Sequence, residues 1–211
     1  MRRIEAGQPL PSTGAYILGP GVHQLPLLTG GVQIKGEEGA VLDGDGGTIL
    51  ELLEDGLSVQ IEDVELRGGK GEAAGGVVLR GLSRVLLRRC LVRGCVSRRG
   101  GVAGGVYAAR GTLILEDCRF EENLGTTASD LVATGIAEVS LRDCTLGGDV
   151  ALREGATLTL ENSTVEGTLS ARGTTTRAPT LHLQDSLILG GLRNDPALPA
   201  TLHQTEKMLP S

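Results

Sequence analysis

A line of alternating apolar and polar residues recurs along this chain at intervals of roughly two dozen residues. Within each copy every second residue is apolar, as in Val59 and Ile61, which places those side chains on one face of a β-strand. The seven copies are 27, 26, 28, 26, 19 and 23 residues apart and begin at Val32, Val59, Val85, Leu113, Val139, Leu158 and Leu181. A period of this length indicates stacked supersecondary units, none of which can bury its apolar face alone.

Each copy is the middle one of three predicted strands. An apolar pair follows it after a bend, as Cys118 and Phe120 follow Leu115, and upstream strands are predicted to begin at Leu25, Leu52, Val78, Val106, Val132 and Ala151. Asp and Asn tolerate the left-handed backbone angles of a sharp bend. The residues at the bend of successive copies, which we call the bend column, are Asp63, Arg89, Asp117, Asp143, Asn162 and Asp185. The sequence therefore predicts an all-β solenoid of about seven coils, in which three parallel sheets enclose one core.

The line "TLILEDCRF" and its Asp or Asn bend, repeated over residues 32–191, resemble the right-handed parallel β-helix (pectin-lyase-like) superfamily, as does the lead-in "GAYILGPGVHQLPLL". A leucine-rich repeat is the nearest rival, but its helical segment and fixed asparagine are missing. The resemblance implies a right-handed parallel β-helix over residues 15–191. Residues 1–14 and 192–211 are predicted to cap its ends, the latter with two prolines and a weakly helical run over residues 201–209.

Composition indicates which residues form the core and in which compartment the protein is expected. Only three residues are aromatic, namely Tyr16, Tyr107 and Phe120, so the core is predicted to be aliphatic. Cys90, Cys118 and Cys144 fall in one inward column, a straight row unlike a tetrahedral metal site, while Cys95 falls in a loop and is a candidate reactive thiol. We predict no metal and no cofactor. No apolar run suggests a signal peptide or a membrane span, so a cytoplasmic location is expected.

Charged residues provide the candidate binding surfaces. In register, one outward column reads Glu62, Arg88, Glu116, Arg142 and Glu161, which predicts a salt-bridge ladder across neighbouring strands. Residues 68–76, 94–105 and 122–130 follow the third strand in three consecutive coils and are predicted to project as a ledge. They are alternatively flexible turns. The partner-binding or ligand-binding candidates in or beside the ledge are Lys70, Arg93, Arg98, Arg99, Glu121, Glu122 and Asn123.

Function follows less directly from these patterns. The superfamily's hydrolases carry Asn-Thr-Asp, Asp-Asp, Gly-His-Gly and Arg-Ile-Lys stretches and its epimerases an Asp-Pro-His-Glu run, and none occurs here. Its lyases use acidic residues and an arginine. Asp and Arg are too common in the repeat positions of this chain to argue for or against lyase activity. The three histidines lie far apart along the axis, so no catalytic residue is predicted.

The favoured hypothesis is a non-catalytic scaffold that binds a protein partner, or a second copy through the solenoid ends. Arginines of the ledge are alternatively suited to an anionic ligand. The runner-up is a lyase, hydrolase or isomerase that acts on an acidic polysaccharide at the same ledge. A net charge of −6 disfavours broad nucleic-acid or anionic-membrane surfaces.

Overall fold

The computed structural model describes residues 1–98 and 101–205 and shows no helix among them. Its strands, numbered along the chain, form three long sheets in which every pairing is parallel. One coil of the chain contributes one strand to each sheet in turn, so that residues about two dozen apart in sequence become neighbours. The fold is therefore an all-β parallel solenoid, as predicted.

The first sheet, sheet 1, holds the recurrent alternating line. Its ten strands are β1 (Arg2–Ile4), β2 (Gly14–Leu18), β4 (Val32–Gly36), β7 (Ser58–Glu62), β11 (Arg84–Arg88), β15 (Thr112–Glu116), β18 (Glu138–Arg142), β21 (Thr157–Glu161), β24 (Thr180–Gln184) and β27 (Thr201–Thr205). All seven predicted copies are strands of this sheet, from β4 to β24. Three further strands, β1, β2 and β27, continue it at its two ends.

Sheets 2 and 3 complete each coil. Sheet 2 comprises β3 (Gly21–His23), β5 (Ala40–Asp43), β8 (Glu65–Arg67), β12 (Leu91–Arg93), β16 (Arg119–Glu121), β19 (Thr145–Leu146), β22 (Thr164–Val165) and β25 (Leu187–Ile188). Sheet 3 comprises β6 (Leu50–Leu52), β10 (Val77–Leu79), β14 (Val106–Ala108), β17 (Leu131–Ala133), β20 (Val150–Arg153), β23 (Leu169–Arg172) and β26 (Leu192–Asn194). A short fourth ladder joins β9 (Lys70–Gly71) to β13 (Val96–Ser97).

Two local expectations were wrong. The run predicted as weakly helical begins instead with strand β27, whose five residues pair with β24; residues 206–209 of that run lie outside the described part of the chain. The exposed edge of β24 offers unpaired backbone groups, which outweigh a weak helical preference in a segment that contains two threonines. Leu25, predicted to begin a strand, belongs to none; the next residue, Pro26, has no N–H to donate to a ladder.

The core is a continuous aliphatic cluster that runs along the axis. The inward residues of sheet 1 are buried, with Val59 and Ile61 at most 1% exposed, and Phe120 of sheet 2 is fully buried. The predicted column of thiols lies inside this cluster, with Cys90, Cys118 and Cys144 no more than 3% exposed. Period-two alternation thus assigns the buried face correctly.

Every residue of the bend column has a positive φ. The angles are 58° at Asp63, 51° at Arg89, 53° at Asp117, 55° at Asp143, and 48° at both Asn162 and Asp185. Each of these six coils therefore turns from sheet 1 into sheet 2 through one left-handed residue. Asp and Asn bear this conformation at lower cost than other side chains.

Replacing Asp117 by valine should lower the free energy of unfolding by about 1–3 kcal/mol, because a β-branched side chain fits poorly at a φ of 53°. Asp117→Asn should leave stability nearly unchanged, since asparagine tolerates the same angles. Urea denaturation of the two variants measures the difference. Equal stabilities would show that the bend does not depend on left-handed tolerance.

Candidate functional site

The outward side of sheet 1 carries the predicted charge ladder. Arg88 lies opposite Glu62 on one neighbouring strand and opposite Glu116 on the other. Its guanidinium is 2.7 Å from the Glu116 carboxylate and 3.4 Å from that of Glu62. Farther along, Arg142 is 2.9 Å from Glu161. The ladder is therefore confirmed at three of its ion pairs.

Arg89, the one basic residue of the bend column, has its own ion-pair partners. Its guanidinium donates two hydrogen bonds to the carboxylate of Asp63, at 2.6 and 2.9 Å, and a third to Glu62 at 3.2 Å. The hydrogen bond and charge of Arg89 lower the pKa of Asp63 below its ordinary value. An arginine at this bend thus replaces a repulsive Asp–Asp contact by an attractive one.

An apolar strip lies beside the ladder in the centre of the same face. Leu86 and Ile114 face each other on neighbouring strands, and both side chains point outward and are partly exposed. Polar residues continue this column, with Gln60 on one side and Ser140 on the other. We call the ladder and this column together the ladder face.

The three connections predicted to form a ledge do stack on one another. Strands β9 and β13 pair in parallel, and isolated bridges join Val96 to Leu124 and Ala103 to Ala128. Their alanines, among them Ala73 and Ala103, are buried against the outward side of sheet 3 in a second apolar cluster, separate from the main core. The ledge is therefore a packed layer over sheet 3 instead of a set of flexible turns.

Most of the charged ledge candidates have acidic or backbone partners in the structure. Arg93 is 3.1 Å from Glu122, and Arg98 lies 4.0 Å from Glu72 and donates a 2.5 Å hydrogen bond to the Gly46 carbonyl. These ion pairs join residues of different coils; Arg93 and Glu122, for example, are 29 residues apart. The spacing of residues within a single coil therefore does not reveal them.

The remaining candidates occupy different environments. Glu121 pairs with Arg119 on its own strand. Lys70 is exposed at the rim and forms no ion pair among the described residues. Arg99 lies outside the described residues. The structure thus brings Arg93 and Glu122 together and leaves Lys70 as an isolated surface cation.

Asn123 is a buried structural residue, which corrects its predicted role in partner binding. Its side chain is 4% exposed. The amide oxygen accepts the Cys95 N–H at 3.0 Å, and the amide nitrogen donates to the Val92 carbonyl at 3.0 Å and to Asp130 at 2.9 Å. Asp130, which sequence reasoning did not single out, is 1% exposed and also accepts the Gly148 N–H at 2.6 Å. This network ties the ledge to the solenoid.

The stability of the protein should depend on pH through Asp130. Burial raises the pKa of this carboxyl above its ordinary value, against the opposing hydrogen bonds from Asn123 and Gly148. Between the unfolded and folded pKa values the folded state holds more protons, so stability rises as the pH falls through the folded pKa. The free energy of unfolding of the wild type minus that of Asp130→Asn should therefore grow as the pH is lowered from neutral. A difference that stays flat or shrinks would contradict this assignment.

All four cysteines are free thiols in buried positions. In the inward column, Cys118 donates to the Leu87 carbonyl at 3.4 Å and Cys144 to the Leu115 carbonyl at 3.4 Å; Ser163 continues the column and accepts the Cys144 N–H at 3.1 Å. Cys95, the candidate reactive thiol, is fully buried, and burial raises its pKa to about 11. The expectation of a reactive Cys95 is therefore wrong.

Thiol labelling should accordingly be slow in the native protein. At pH 8 we expect none of the four cysteines to react with a disulfide reagent on the minute timescale, because each thiol is buried and a buried thiol is inert. All four should react at once in denaturant. Absorbance of the released thiolate counts them in both states, and a single fast native equivalent would contradict the buried placement.

No metal centre emerges in the parts of the chain that the structure describes, and the expectation that all three histidines lie far apart is wrong for one pair. Within residues 1–98 and 101–205, no group of three or more His, Cys, Asp or Glu side chains could hold a metal ion. His182 and His203 stack with ring centroids 4.7 Å apart, whereas His23 is buried near the other end. No helix that could cross a membrane occurs in the described segments.

Comparison with known proteins identifies no relative of this chain. No family model, curated protein or solved structure matches this chain. Its function has to be inferred from the surfaces described above.

Proposed function

We propose that this chain is a rigid, non-catalytic scaffold that holds a protein partner on the ladder face. The observation that carries the proposal is the continuous register of ten parallel strands in sheet 1. At about 4.8 Å between neighbouring strands, this sheet presents a straight surface roughly 40 Å long. Such a surface has the dimensions of a protein–protein interface.

The chemistry of the ladder face favours a protein over other partners. Its charges alternate in sign along the axis, whereas a polymer of uniform charge matches a surface of one opposite sign. The ladder side chains remain accessible, since Arg142 is 58% exposed and Glu161 is 39% exposed. Leu86 and Ile114 supply an apolar centre beside a charged margin, which is the usual anatomy of an interface.

The same observations support two finer assignments, which we propose with the scaffold role. The coils, the bend column and the inward thiol column support our proposal that the chain belongs to the right-handed parallel β-helix (pectin-lyase-like) superfamily. Four reduced, buried thiols in a protein of this size suit a reducing compartment. We therefore place the protein in the cytoplasm.

A photocrosslinking residue at Ile114 tests the scaffold proposal in the cell of origin. We expect one protein species to be captured in high yield, and to be lost when Arg88→Glu and Arg142→Glu are combined, because all five positions of the ladder then carry a negative charge. Arg119→Glu is the matched control, since Arg119 is an exposed arginine on sheet 2. Its capture should equal that of the wild type, and thermal melting should confirm that both variants fold.

Three outcomes would overturn the proposal. Capture that persists in the double variant would remove the ladder face as the contact surface. Oligomers that form with rising concentration regardless of these substitutions would place the contact at the solenoid ends. Turnover of a uronic-acid polymer that disappears in Lys70→Ala with Arg98→Ala would replace the scaffold by a polysaccharide-active enzyme at the ledge.

A further inference from the structure

A basic cleft lies on the outward side of sheet 3, beyond the part that the ledge covers. The connections before β20, β23 and β26 are short. The apolar cluster under the ledge includes Ala151 of β20 but no residue of β23 or β26. The cleft has a volume of about 380 Å³ and is lined chiefly by Arg153, Ser170, Arg172, Arg193, Asn194 and Asp195. It lies on a different sheet from the ladder face and does not depend on the proposed function.

Two arginines of this cleft share one register position on the outward side of sheet 3. Arg153 and Arg172 lie opposite one another on neighbouring strands, where like charges are destabilising. Arg172 is 3.1 Å from Asp195. Arg153, by contrast, has a buried Nε with no hydrogen-bond partner, and a buried unpaired donor is costly. The arrangement lacks an acceptor at Arg153.

The charge of the lining defines the missing acceptor. Three arginines and one aspartate line the cleft, which leaves a formal charge of +2. A carboxylate would neutralise only one of the two uncompensated guanidiniums. A phosphate monoester carries about −1.5 to −2 charges and three strong acceptor oxygens, and arginine forks match its geometry.

We propose that this cleft binds the phosphate group of a small phosphomonoester. Its volume is near the lower end of small-molecule pockets, roughly 300–1,000 Å³, and exceeds what a lone phosphate fills. A neighbouring cleft of about 410 Å³ shares Arg153 and Arg172 and adds the acidic Glu154 together with the hydroxyl-bearing Thr174 and Thr175. The organic part of the ligand extends into this second cleft.

Isothermal titration with phenyl phosphate, in a chloride buffer free of phosphate, tests the site. We expect saturable binding at one site per chain and binding at least about tenfold weaker in Arg153→Gln and in Arg193→Gln, as for the loss of a charged hydrogen bond. Arg119→Gln on sheet 2 is the matched control and should bind like the wild type. Acetate should bind at least about tenfold more weakly than phenyl phosphate.

A second measurement separates binding from folding. Arg153→Gln removes one of two facing positive charges, so in phosphate-free buffer it should unfold at the same temperature as the wild type or a higher one. Inorganic phosphate is the second probe. We expect it to bind more weakly than phenyl phosphate, and equal binding would contradict a site for a monoester whose organic part occupies the second cleft. Absence of saturable binding by the wild type, equal weakening in Arg119→Gln, or equal binding of acetate would overturn the proposal.

Discussion

Asn123→Ala is expected to lower the free energy of unfolding by about 3–5 kcal/mol. The substitution removes three hydrogen bonds at once, those with the Cys95 N–H, the Val92 carbonyl and the Asp130 carboxylate. Asn123 and Asp130 are buried, so water cannot replace the lost partners without opening the structure. Leaving a buried polar group unpaired costs about 1–3 kcal/mol each, which makes this small change as damaging as a large cavity.

Urea denaturation measures this loss, with Glu121→Ala as the matched control in the same segment. Glu121 forms a surface ion pair with Arg119, and such pairs contribute less than about 1 kcal/mol. The ledge itself should also loosen in Asn123→Ala, since Cys95 and Asp130 lie on different ledge segments. Faster amide exchange at Val96 and Leu124, which are bridged in the native ledge, reports this loosening. Similar stabilities of the two variants would exclude a structural role for Asn123.

The solenoid could be predicted because its determinants are local and repeated. One alternating line and one left-handed bend per coil fix which residues become neighbours, so the Glu62–Arg88–Glu116 register follows from the spacing alone. The ends were less predictable. Strand β27 forms because the exposed edge of β24 offers it backbone hydrogen-bonding groups. This tertiary contact cannot be predicted from the sequence of the segment itself.

The burial of residues inside the ledge could not be predicted from their residue types. Asn123 follows two glutamates and precedes a leucine that is 64% exposed, a context that indicates a surface loop. Its burial results from the stacking of three connections, which brings Asp130 to it from seven residues away. Small alanines then form an apolar cluster that hydrophobic periodicity does not detect.

The basic cleft was missed for a related reason. Arg153 and Arg172 share a register position, as the 19-residue spacing of their coils suggests. Arg193, however, lies opposite Ser170 in the adjacent column, because β26 places its arginine two positions earlier in the register. Only the three-dimensional fold brings the three arginines to one cleft.

Gly75→Ala is expected to lower the free energy of unfolding by about 3 kcal/mol or more, at the high end of overpacking effects. A Cβ at this position would lie 2.2 Å from the Gly69 carbonyl oxygen and 2.6 Å from the Val96 nitrogen. Both neighbours are backbone atoms of the ledge, so neither can rotate away. Gly75 also hydrogen-bonds through its own backbone to Ile49 and Gly104 at 2.9 Å, which prevents it from retreating.

Gly47→Ala provides the control that separates close packing from glycine's flexibility. A Cβ at Gly47 would meet its nearest atom, the Gly44 carbonyl oxygen, at 3.4 Å, and its φ lies outside the left-handed range. If glycines near the ledge served as flexible turns, both substitutions would restrict the unfolded chain and stabilise the protein by about 0.4–1 kcal/mol. Because the ledge instead needs backbones in direct contact, only Gly47→Ala should be tolerated. Thermal denaturation of both variants decides between the two roles, and a stable Gly75→Ala protein would refute the packed ledge.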